Sequence, residues 1–129
     1  MRALILLFVG LAVGAIAATS VVNALRQRDA YPRGLMNVMQ HHYATLRRDV
    51  RADHCTDSPR EIAALKSLMP DIDGAVFAEG SPEPPFIEYE QRLSSALDAA
   101  AATSGQCAAL APAVDKISAA CDACHQQYR

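Results

Sequence analysis

The chain opens with an apolar run that no charge interrupts from Ala3 to about Val22. Beyond it the apolar positions recur at helical intervals. Met36, Met39, Tyr43, Leu46 and Val50 step by alternating threes and fours, which predicts a helix from about Tyr31 to Asp53. Pro32 falls in its first turn, where a missing N–H costs nothing. "DSPRE" then offers Ser58 as a cap, Pro59 at the first helical position and Glu61 to complete a capping box. The second helix carries Ile62, Leu65 and Leu68 or Met69 and stops near Pro70. "PDIDGAVFAEGSPEPP" holds most of the turn formers and reads as a long crossing loop. A third helix follows Pro85 with Phe86, Tyr89, Leu93, Leu97 and Ala100 on one face, and ends at Gly105. In the fourth, Leu110, Val114, Ile117, Cys121, Cys124 and Tyr128 again step by fours and threes.

Composition supports this pattern. Alanine supplies much of the 51% hydrophobic fraction, aromatics are 5% and tryptophan is absent, which favours helix over strand. The expectation is an all-α protein: an antiparallel four-helix bundle over residues 29–129, with an N-terminal signal or membrane-anchor helix over residues 1–25. The first apolar run has one arginine before it and small residues, Ala15-Ile16-Ala17, where a signal peptidase would cut. It is also long enough to span a bilayer, so a cleaved signal and inner-membrane attachment through residues 3–22 both stand. Either one places the rest of the chain outside the cytoplasm, in the periplasm. The net charge of −2 leaves no basic stripe for nucleic acid.

Export changes the meaning of "CDACH" near the C-terminus. C-x-x-C-H in an exported chain is the attachment signature of haem c. Two thiols one helical turn apart reach the two vinyl groups of a porphyrin, and the imidazole that follows reaches the iron. A thioredoxin-like disulfide would need a βαβ context, zinc would need further ligands at finger-like spacing, and a structural disulfide would leave His125 idle. Cys121, Cys124 and His125 are therefore the candidate residues for one covalent haem.

With these residues in place, "CDACHQQYR" closing the last helix resembles the class II c-type cytochromes, the cytochrome c prime family. "YPRGLMNVMQHHY" is similar to the family's first-helix stretch, although Pro32 shifts the usual arginine to Arg33. The resemblance implies His125 as proximal iron ligand and Met36 as distal ligand in an electron carrier. It implies a five-coordinate iron that binds NO or CO if an apolar residue covers that face. Leu35 is the candidate for that cover, and Met39 the next methionine. Arg129 is expected beside the proximal histidine. The family is compatible with a homodimer through the first two helices.

The remaining residues carry less. His41 and His42 point to different sides of their helix, and His54 suits a helix C-terminus. Cys55 and Cys107 lie at helix boundaries, where an oxidising compartment favours a disulfide over two separate buried thiols. No nucleophile–base pairing, phosphate loop or placed carboxylate pair appears, so an enzyme is not expected. The expected function is electron transfer with unidentified redox partner proteins. Gas binding and a haem-free disulfide-held bundle are the rival classes.

Overall fold

The computed structural model describes residues 2–77 and 80–128, with the side chains of 2–7 and 24–29 outside the description. The protein is all-helical. Its helices are α1 (Arg2–Arg51), α2 (Ser58–Leu68), α3 (Asp71–Val76), α4 (Pro84–Ala102) and α5 (Cys107–Gln127). The contacts divide the chain into two compact units, Met1–Arg33 and Gly34–Arg129.

In the first unit the apolar side chains lie on the surface: Phe8, Leu11 and Ile16 are 67%, 69% and 66% exposed. The hydroxyls of Thr19 and Ser20 both donate back to the Ile16 carbonyl at 2.9 Å, so these polar groups are satisfied within the helix. Among the described residues no helix is long and apolar enough to cross a membrane. Pro32, expected in a first turn, instead lies inside α1. There it withholds one i to i−4 hydrogen bond.

The second unit begins on the seam of α1. Leu35, Met39 and Leu46 are buried, as the spacing requires. The helix ends in a Schellman motif: His54 N–H donates to the Asp49 carbonyl at 2.9 Å and Asp53 N–H to the Val50 carbonyl at 3.2 Å. Asp53 takes the left-handed conformation this requires, at φ 55°. His54 is therefore at a helix end, as expected.

Two expectations fail here. Ser58 does not cap α2; it is the first helical residue, wholly buried, and Asp57 precedes it without a side-chain cap. Glu61 cannot close a capping box because its carboxylate is taken elsewhere. It accepts from His42 Nδ1 at 2.7 Å and from Arg60 Nη2 at 2.9 Å. These bonds hold its carboxyl below the ordinary 4.5 despite burial, the His42 bond being the largest cause. The crossing loop is the second failure, since its first residues form α3, which buries Ile72 and Ala75.

The core is closed by Leu46, Ile62, Phe86, Leu97, Leu110 and Ile117, all essentially inaccessible. α4 and α5 are the closest-packed pair, and α2 packs on α4. Buried alanines explain the first approach: Ala96 and Ala100 on α4, Ala113 and Ala120 on α5. α1 presents Leu, Met and Tyr instead, and no such extended backbone approach joins it to another helix among the described residues.

A disulfide joins Cys55, just after α1, to Cys107, the first residue of α5, with Cα atoms 5.5 Å apart across 52 residues. Closing a loop of that length stabilises by about 4 kcal/mol in the chain-entropy model. Replacing both cysteines by serine is expected to lower unfolding free energy by about 2–4 kcal/mol. Urea unfolding of the oxidised protein against the double variant measures the difference.

Candidate functional site

α1 and the last half of α5 are separated by a cleft of about 120 Å³ inside the second unit. Met36, Met39, Gln40 and Tyr43 form its α1 wall. Cys121, Cys124 and His125 line it from α5, while Leu93 and Leu97 of α4 and Ile72 of α3 contribute apolar surface. Its lining is mostly apolar with a few polar groups converging on it, the character of a ligand site, while its volume is below the roughly 300–1,000 Å³ usual for one.

The two C-terminal cysteines are free and half-buried. Burial raises the Cys121 thiol to about 11, with Asp122 and Cys124 adding to it. Burial also raises Cys124, followed by the charge of Glu90. Both lie in the last turns of α5, where the helix dipole further disfavours a thiolate. Redox-active C-x-x-C pairs have the opposite arrangement, with a lowered thiol pKa at a helix N-terminus. Among the described residues no group of three or more His, Cys, Asp or Glu is placed to hold a metal ion.

No family model, curated protein or solved structure matches the chain.

The site residues expected from sequence are brought to one place, with one exception. Cys121, Cys124, His125 and Met36 all line the cleft, whereas Arg129 lies outside the described residues. Leu35 is buried but does not line the cleft; Met39 is buried and does. His41 and His54 are exposed and His42 is bound to Glu61, so none of the three lines the cleft. The end of α5 is held by aromatic packing. The Tyr128 ring meets Phe86 at 5.1 Å, Tyr89 at 6.1 Å and Phe77 at 6.3 Å, and its hydroxyl donates to Glu83 at 3.4 Å.

Sequence reasoning missed a carboxyl pair. Glu90 of α4 lines the cleft, and its carboxyl is raised to about 7, first by burial and then by the neighbouring Asp73 carboxylate of α3. Asp73 Oδ1 is buried and takes no hydrogen bond among the described residues. The signal was present: Glu90, Leu93 and Leu97 share a three-and-four spacing, so Glu90 stands on an apolar seam.

The sign of the Glu90 shift fixes a pH dependence. A carboxyl raised on folding holds its proton more tightly when folded. Stability is therefore full below the ordinary 4.5, falls as pH rises from there, and levels off above about 7. Glu61, lowered on folding, loses its contribution only on the acid side, so the two effects separate. Glu90→Gln is expected to flatten the dependence between about pH 5.5 and 8, keeping at pH 8 a melting temperature that wild type loses. Each 1 kcal/mol recovered corresponds to about 4–8 °C in a domain of this size, read by thermal unfolding across that range.

Proposed function

We propose that the protein is an exported class II c-type cytochrome that carries electrons. In this reading the second half of α1 with α2, α4 and α5 forms an antiparallel four-helix bundle in the periplasm, and residues 3–22 act as a cleaved signal or as its inner-membrane anchor. The observation that carries it is the shared cleft: the thiol pair and imidazole of α5 face a methionine-bearing wall of α1 across an apolar gap.

The residues fit a haem c. Cys121 and Cys124 would hold it through thioether bonds, His125 would serve as proximal ligand and Met36 as distal ligand, with Arg129 beside the histidine. Bound there, the group supplies reversible one-electron chemistry at iron. The chain's own contribution is positional and electrostatic. Leu93, Leu97 and Ile117 keep water from the cleft, which favours the less charged redox state. A thioether from α1 would raise the potential and close the sixth position. The Tyr128 cluster packs the last turn of α5 on the core, while His125 lines the cleft from an exposed position.

A second reading has its own support. Met36 is packed against the core cluster, and a methionine committed to packing would leave iron five-coordinate and open to NO or CO. Visible spectra of the oxidised and reduced protein, with and without CO, separate the two. The electron carrier is expected to be low-spin and unchanged by CO. Met36→Ala should then convert it to a high-spin, CO-binding form while Met39→Ala leaves it low-spin. A colourless protein from a host able to mature haem c would remove both readings. Mass spectrometry of the same sample distinguishes a cleaved signal, shorter by roughly 17 residues, from an intact anchor.

A further inference from the structure

We propose that Arg47, Arg48 and Arg51 form a docking surface for an acidic patch on a protein electron partner, placed at the rim of the cleft. The proposal rests on the electron-carrier reading. A groove of about 350 Å³ is lined by these three arginines together with Gln40, Tyr43, Ala44 and Ala52. Gln40 and Tyr43 also line the cleft, so the cationic groove and the candidate haem pocket share a wall.

The charge is local. The chain as a whole carries −2, yet all three guanidinium groups on this face are exposed. Arg48 reaches the adjacent Asp49 at 3.4 Å with 74% of its side chain exposed, and Arg47 and Arg51 have no ion-pair partner among the described residues. Arg48 and Arg51 suit the negative end of α1, but Arg47 lies a turn further back, and Arg47 with Arg51 four residues on is a like-charge pairing that does not help the helix. Helix capping does not require them either, because the backbone bonds of the Schellman motif already take the Arg48, Asp49 and Val50 carbonyls. Guanidinium groups around a half-buried aromatic are suited to bind carboxylates at a protein interface. An anionic lipid surface would not need the groove to adjoin the cleft, whereas an electron partner gains from a short path.

Two readouts on the purified holoprotein test this. In the first, an oligoglutamate peptide is titrated into isotopically labelled protein and followed by NMR. Shifts are expected in residues 40–52, weakened at least about tenfold by R47Q/R51Q, the low end of electrostatic steering effects, and largely kept by R47K/R51K. R92Q on α4 serves as the control and should change nothing. In the second, hexacyanoferrate(III) oxidises the reduced protein, one electron leaving each ferrous iron to give hexacyanoferrate(II). Net charge alone would make added salt speed this reaction between like-charged partners, whereas the arginine groove makes salt slow it, and R47Q/R51Q reverses the slope. Peptide shifts scattered over the surface, or a wild-type rate that rises with salt, would overturn the proposal. So would R47Q/R51Q losing affinity for phosphatidylcholine–phosphatidylglycerol vesicles while the peptide moves no resonance, which would assign the patch to lipid. Peptide binding is read without any redox centre, so a failed cytochrome reading shows as missing colour while the groove is still tested.

Discussion

The Cys55–Cys107 bond sets the register on which the candidate site depends. It fixes the start of α5 beside the end of α1. From Arg51 back to Met36 is 15 residues, or about 22 Å at 1.5 Å per residue. From Cys107 forward to Cys121 is 14 residues, or about 21 Å. The two helices therefore leave the bond in a common direction, one read backwards and one forwards, and bring methionine and thiols to the same level. One covalent link thus aligns groups lying 85 positions apart in the sequence. A slip of one helical turn along α5 would bring Ile117 rather than Cys121 opposite Met36, and the cleft would lose its thiols.

Side-chain size decides where the cleft opens. α4 and α5 face each other through alanines, so their backbones approach closely. α1 faces the same pair through Met36, Met39 and Tyr43, which hold it off. Space is therefore left on the α1 side of α5, next to the half-buried thiols. The same enclosure explains the titration pattern. Water is excluded from one region, so Cys121, Cys124 and Glu90 all shift toward their neutral forms, burial being the first cause for each.

Much of this was legible in the chain, and the parts that were not have physical reasons. The seams of α1, α4 and α5 were readable because each has enough turns for the three-and-four spacing to repeat. α3 was hidden because six residues rich in Asp and Gly carry a turn signature and too few turns to show a period. The capping box failed because a motif states which bonds a side chain can make, not which it will make. His42, 19 residues upstream, competes for Glu61 with a charge-assisted bond. Pro32 misled for a related reason: a first turn is where proline costs a helix least, not the one place a helix can hold it, and here it lies inside α1. The Cys55–Cys107 pairing was legible because C-x-x-C-H sets the other two cysteines apart and the remaining two lie at helix boundaries, whereas spacing alone does not say that those helix ends meet.

The four cysteines divide by chemistry as well as by place. Cys55 and Cys107 lie where helix ends meet, and their sulfurs are joined. Cys121 and Cys124 lie one turn apart in a continuous helix, half-buried and protonated. The thiolate is the attacking species in disulfide exchange, so raising both pKa values slows their entry into mispairing. The enclosure that raises both thiols also forms part of the pocket they face. Burial towards the far end of α5 thus separates the free thiols from the disulfide in chemistry as well as in place.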